Sequence, residues 1–352
     1  MCHFSTILIF LLLLNIQVFS QSNIDTFIKN NSIENQLLEN DTVLRMNRAD
    51  FLYGDSYRYT ITGTLPPIKN NTSLSGYIYT GLGVSALFVG QHIAQSNTIW
   101  KRKTHFRVIE DGSYGLYVDK GGHFVSAYLS AYMLGEAMFA ADMNEKTSKL
   151  VGGLLGLGYI SYIEIMDGFG EDFGFSPSDW YFNAAGASFY LLQSYVPAFE
   201  NVTPKFTYIS AELHGDHKRV PHDFFVDDYA SQTFWLSFNI HNMLPENLQK
   251  YWLPWLNISV GYAARNLKIV NPNDPNIYND KVPNWGNREL GYYGEPRFII
   301  ALDYDLTKMI PESKYGFVNW LVQSVNHFKL PAPAVEFDIQ GRARFVLLYP
   351  FL

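Results

Sequence analysis

Cysteine is all but missing from this chain: its one thiol, Cys2, stands at the second position. A disulfide framework and a thiolate metal centre are therefore excluded for everything that follows it. Lys and Arg are absent from the first twenty residues, no stretch of them later has the extent of a phosphate footprint, and the formal net charge is −7. That balance argues against nucleic acid as a partner. Also missing are a G-x-S-x-G elbow, a phosphate-binding loop, an H-E-x-x-H pair and a dinucleotide fingerprint. No nucleotide is expected, and no particular cofactor is indicated.

What is present begins with a leader. An apolar run from Ile7 to Leu14 is followed by Val18-Phe19-Ser20 before Gln21, the pattern of a secretory signal over residues 1–20. The run is too short for a strong spanning helix; an uncleaved anchor is the alternative. Cys2 has no small-residue lipobox ahead of it, so no lipid attachment is expected there. Aromatics make up 16% of the chain, with 24 Tyr and 26 Phe. In an exported chain this excess favours a membrane-interface or carbohydrate-facing protein over an ordinary soluble enzyme.

The pattern beyond the leader predicts an α+β protein in three parts. Residues 21–74 are rich in Asn and Ser and read as a poorly packed arm, with a short extended piece at Tyr57 to Thr62. Its sequons at Asn30, Asn40 and Asn70, and those at Asn201 and Asn257, carry little weight in an Asn-rich chain. Residues 75–200 hold four apolar segments, Gly76 to Ala94, Gly121 to Ala140, Leu150 to Met166 and Trp180 to Phe199, each about the length of a bilayer crossing of roughly 17 to 25 residues. Small residues in Gly152-x-x-x-Gly156 and Ala184-x-x-x-Ser188 let helix backbones approach, so a four-helix, membrane-like bundle is expected, with a buried soluble bundle as the alternative. Residues 201–352 change to period-two alternation around Phe234 to Ile240, Ile258 to Tyr262, Phe298 to Leu306, Val335 to Ile339 and Arg344 to Leu352. About five strands with one apolar and one polar face are too few for the smallest closed barrel of about eight, though a barrel-like wall stays open beside a half-buried antiparallel sheet. A short helix is expected near Tyr315 to Phe328.

Three polar motifs stand at the ends of the apolar segments. Asp119-Lys120 with His123 opens the second, Glu164 and Asp167 close the third, and Asp179 with Asn183 opens the fourth. An up-down-up path brings all three to one end of a bundle, with Asp119 and His123 on one helix face and Asp179 and Asn183 on another. Capping alone could account for Asp119 and Asp179. It does not account for Lys120, His123, Glu164 or Asn183 within apolar segments, so the residues form either a paired network fixing helix register or a chemical site. In the chemical reading His123 acts with Glu164 and Asp167 as base, acid or metal ligand. His92 at the end of the first segment completes a candidate ligand set of His92, His123, Glu164 and Asp167. A second group, His214, Asp216, His217, His222, Asp223, Asp227 and Asp228, reads as solvated loop polarity.

The sequence from Asp119-Lys120-Gly121-Gly122-His123-Phe124 through Glu164 and Asp167-Gly168-Phe169 to Ser176, Asp179, Asn183 and Gly186 resembles the pattern of VanZ-like proteins and of the YfiM family of predicted periplasmic lipoproteins (DUF2279). The resemblance covers about residues 76–200. Trp235-Leu236-Ser237, Gly261-Tyr262 and Leu330-Pro331-Ala332-Pro333 are similar to longer members of that family from Bacteroidota. The family implies an envelope setting and no defined reaction. This chain departs from it in lacking a lipobox cysteine and in carrying Asp167 near where VanZ-like chains show Gln. The combined expectation is an exported envelope protein at the outer membrane or in the periplasm, structural or lipid-interacting, with membrane lipid or other envelope proteins as partners. The alternative is a hydrolase of a lipid or cell-wall glycan headgroup.

Overall fold

The computed structural model describes residues 43–171, 173–214, 228–269 and 292–351. The leader, with Cys2, lies outside them. Each apolar segment folds as a helix: α1 (Leu74–Ser96), α2 (Val118–Ala140), α3 (Glu145–Asp167) and α4 (Pro177–Tyr195). Helices α1, α3 and α4 begin ahead of their apolar runs because capping residues set the starts. Ser73 accepts from the Gly76 N–H, Asn144 accepts from Thr147, and Ser176 precedes Pro177 at the first helical position.

Helices α2, α3 and α4 meet at glycine. A Cβ on Gly152 would come within 2.4 Å of Gly135 Cα, one on Gly156 within 2.6 Å of the Ala131 backbone, and one on Gly186 within 2.0 Å of the Phe124 carbonyl oxygen. The expectation of a four-helix bundle needs correction, because α1 buries none of its residues. It touches α3 along one edge, through Phe88 against Tyr159 and His92 against Tyr162. Its glycines Gly81, Gly83 and Gly90 face open space, so no small-residue seam draws it into the core of three. Among the described residues only α3 is long and apolar enough, by length and composition, to cross a bilayer.

The described part of the arm is better packed than its polarity suggested. Phe51 is fully buried and meets Phe139 of α2 edge-on at 5.7 Å. Buried Arg58 reaches Glu136 of α2 at 3.2 Å. Two side chains thus anchor a stretch whose composition is otherwise that of a loop. The extended piece is confined to β2 (Ser56–Tyr57), paired antiparallel with β1 (Leu52–Tyr53).

An antiparallel sheet of six strands follows in sequential order: β3 (Val202–Tyr208), β4 (Gln232–Phe238), β5 (Leu256–Ile269), β6 (Tyr292–Tyr304), β7 (Ala332–Asp338) and β8 (Ala343–Tyr349). Sequence reasoning missed β3, where Pro204 argues against a strand; it is an edge strand, where a missing N–H is tolerated. The short helix α5 (Gly316–Val325) lies between β6 and β7. The sheet does not close into a barrel, although Phe206 of β3 is bridged to Phe328, ahead of β7.

One face of the sheet is apolar yet largely exposed, and the other, buried face mixes polar groups with an apolar cluster that includes Trp235, Ile299, Val346 and Tyr349. Leu236, Val260, Ile300, Val335 and Phe345 stand in register on one face, with Val260, Ile300 and Phe345 exposed. The other face carries Lys205, Trp235, Ser237, Ser259 and Asp303, all buried. Lys205 Nζ lies 2.9 Å from Asp303, and the Trp235 ring meets Tyr349 at 5.5 Å. Gly261 makes room for that indole, since a Cβ there would fall 2.4 Å from it. The corner of the apolar face near β4 is covered by α2, where Gly121 lies against Phe234.

Candidate functional site

The chain enters α2 through a left-handed turn in which Gly115, Leu116 and Tyr117 have φ of 55°, 53° and 67°. For Leu and Tyr this conformation is costly and persists only where neighbours enforce it. Leu116 is buried, and its carbonyl accepts from Tyr262 Oη of β5 at 2.5 Å. The turn sets the start of α2, and Asp119 and Lys120 fall in its first turn.

Lys120 is 1% exposed and ends among carboxylates. Its Nζ donates to Asp111 at 2.6 Å, to Asp119 at 2.8 Å, and to Asp179. One helical turn on, His123 Nε2 lies 3.5 Å from both Asp119 and Asp179, while its Nδ1 is 3.1 Å from Asn183 Oδ1. Glu164, at the end of α3, accepts from the Ser176 backbone N–H at 2.6 Å. Ser176 in turn donates to Asp111 at 2.7 Å. From the sheet side, Tyr229 Oη donates to Asp119 at 2.9 Å. Three helix ends, the loop before α2 and the approach to β4 therefore meet in one polar knot.

Its electrostatics follow from burial and from this pairing. Burial opposes the imidazolium of His123, but Asp119 and Asp179 outweigh it and raise the group to about 10. Burial likewise opposes the Lys120 ammonium, which Asp119 and Asp179 hold above the usual lysine range. Asp119, despite its burial, is held well below the carboxylate range by His123 and Lys120. Asp179 moves the other way, since burial and the Asp119 charge both resist its ionisation. Burial pushes Glu164 up to about 7.

The structure brings Asp119, Lys120, His123, Glu164, Asp179 and Asn183 together as the spacing suggested, and separates two residues from them. Asp167 accepts from Trp100 Nε1 at 2.5 Å. His92 Nδ1 is 2.5 Å from Tyr162 Oη. The candidate ligand set of His92, His123, Glu164 and Asp167 is thus divided between two neighbourhoods. Asp119, His123 and Asp179 do offer one ligand atom each within 4.8 Å of one another, but Lys120 Nζ already supplies a cation to both carboxylates.

Asp111 and Tyr229 were missed. Asp111 carried a weak signal, an acidic pair with Glu110 in the loop leading to Asp119; Tyr229 carried none. Of the second group, Asp216, His217, His222, Asp223 and Asp227 lie outside the described residues. Asp228 is buried and accepts from Ser231 at 2.7 Å and Tyr208 at 3.0 Å.

Fold and site together define an α+β protein whose glycine-packed helices are pinned at one end by buried charge and tied there to an antiparallel sheet. Within that class, residues 108–194, from the approach to α2 almost to the end of α4, match the family model described as "Predicted periplasmic lipoprotein (DUF2279)". That description agrees with an envelope or periplasmic location. No curated protein and no solved structure matches the chain.

Proposed function

We propose that this is an exported envelope protein with a structural or lipid-interacting role, and that its charged knot is a clamp holding helices and sheet in register. The observation that carries the reading is Lys120, buried with its ammonium shared among Asp111, Asp119 and Asp179. A lysine consumed in this way is an internal counter-ion, and its withdrawal leaves uncompensated charge at the junction of every element the knot joins. His123 supports the same reading: its Nε2 stands between Asp119 and Asp179, whose charges favour the imidazolium and so suit it to pairing with carboxylates more than to accepting a proton.

The test compares His123→Gln with Glu164→Leu in cells, scoring dye uptake across the envelope. Gln can bond Asn183 and Asp119, so His123→Gln should leave the barrier close to normal. Glu164→Leu removes the acceptor of the Ser176 N–H and should impair it. If His123→Gln behaves as a deletion while the protein still folds and reaches the envelope, the headgroup-hydrolase reading replaces this one. The convergence of Asp119, His123 and Asp179 gives that second reading its own check, because stoichiometric metal in purified protein would favour it.

A further inference from the structure

Helix α1 packs against the bundle along one edge only, through Phe88 and His92, and leaves its other side uncovered. From Leu74 to Ser96 it contains no Asp, Glu, Lys or Arg, and none of its residues is buried. Leu82, Val89 and Ile93, at 63%, 56% and 55% exposed, recur at spacings of seven and four and so share one face of the helix. At its C-terminal end the composition reverses. Lys101, Arg102 and Lys103 follow within a few residues, all exposed. They do not form a loose tail. Lys103 is bridged to Gly170 beyond α3, the Thr104 N–H donates to the Phe169 carbonyl at 2.9 Å, and the Glu171 N–H donates to the Arg102 carbonyl at 3.0 Å. Within the collar, Arg102 pairs with Glu171 at 3.3 Å.

An uncharged helix with one side apolar and exposed, ending in a fixed cationic collar, matches a surface with hydrocarbon on one side and anionic groups at its edge. We propose that α1 is a membrane-surface helix, seated against an anionic lipid leaflet with its apolar side chains among the acyl chains and Lys101, Arg102 and Lys103 at the phosphates. This rests on the lipid-interacting reading above and names the element that makes the contact. A protein partner would cover one face of α1, whereas a lipid surface also draws the basic collar, each Lys or Arg adding about a factor of five to ten in partition near an anionic surface.

The experiment is flotation of the full chain with vesicles of phosphatidylethanolamine and phosphatidylglycerol, compared with phosphatidylcholine alone. Wild type should float with the anionic vesicles and lose that preference as salt rises from about 0.1 M to about 1 M, where the Debye length falls to about 3 Å. Changing Lys101, Arg102 and Lys103 together to Gln should lower anionic partition by about 100-fold. Val89→Glu should lower partition to both vesicle types, with an unchanged melting temperature because the site is exposed; should it fail to fold, Leu82→Ser serves in its place. Ile300→Glu, on the exposed face of the sheet, should bind as wild type. If Ile300→Glu abolishes flotation while the α1 and collar variants keep it, the sheet is the lipid contact; this inference falls and the lipid-interacting reading stands. If Val89→Glu instead converts a sedimenting dimer to monomer and the wild type floats with no vesicle, α1 is a protein interface and both fall.

Discussion

At the scale of the residue, the knot makes two measurable demands. Lys120→Met takes the hydrogen-bonded ammonium from Asp111, Asp119 and Asp179, leaving only the more distant His123 beside the last two, and should cost about 3 to 5 kcal/mol in denaturant unfolding, with Lys120→Arg milder. Equal stability for wild type and Lys120→Met would remove the clamp from the account. The second demand concerns pH. The upward displacement of Glu164, to about 7, means that its neutral form is the one the fold favours. Its contribution is complete below the unfolded value of about 4.3 and is lost as pH rises through about 7. His123, raised to about 10, contributes fully below about 6.5 and loses that contribution as pH rises through about 10. Asp119 has the opposite sign, since its depressed value stabilises above the unfolded carboxylate range and is lost in acid. Melting temperatures should therefore fall from mildly acid toward alkaline pH. Glu164→Gln, which keeps an acceptor for Ser176 but cannot ionise, should flatten the part of that fall between about pH 4 and about pH 7. Identical profiles for variant and wild type would assign it to other groups.

At the scale of the element, backbone contact at glycine decides whether the helices meet at all. Gly186→Ala would press a methyl group onto the Phe124 carbonyl, 2.0 Å away, and should destabilise by about 1 to 3 kcal/mol or more. Gly158, on the same bundle but with nothing within 4 Å of its would-be Cβ, should gain up to about 1 kcal/mol on replacement by Ala through helix propensity alone. Thermal unfolding of the pair separates packing from propensity, and similar effects of the two changes would contradict the close approach. These elements also show what a sequence discloses. Helices α2, α3 and α4 were legible because uninterrupted apolar runs and S-P-S-D at Ser176 are local signals, and the shared end of the three motifs followed from helix order alone. Placement of α1 was not legible, since an apolar run of the same length does not say whether a partner has a complementary seam. Arg58 and Tyr229 were hidden for a similar reason: their partners Glu136 and Asp119 are distant in the chain, and neither has a local motif. The period-two pattern of β4 to β8 gave the strands but not their sidedness, because alternation is the same whichever face is turned inward.

At the scale of the whole molecule, α2 is the axle, clamped by Lys120 at one end and by the Arg58–Glu136 pair near the other. Lys120 and Glu136 are separated by about 24 Å along the helix at about 1.5 Å per residue. Mild variants at the two places, Lys120→Arg and Arg58→Lys, should therefore add within about 0.5 kcal/mol in a double variant. A larger coupling energy would mean that the helix transmits strain from one end to the other. The bridge between Phe206 and Phe328 bears on the order in which such a chain can assemble. The Phe206 N–H donates to the His327 carbonyl at 2.9 Å and the Lys329 N–H to Phe206 at 3.0 Å, and the neighbouring pair Thr207 and Lys329 is 122 positions apart. Contacts of that span carry a larger loop-closure entropy than those joining α2 to α4, and they form slowly. The helices can thus settle as soon as residues up to Tyr195 are delivered, whereas β3 keeps an open edge until the segment just ahead of β7 arrives. During export from the N-terminal end, the edge of β3 therefore stays exposed until the segment around Phe328 has emerged.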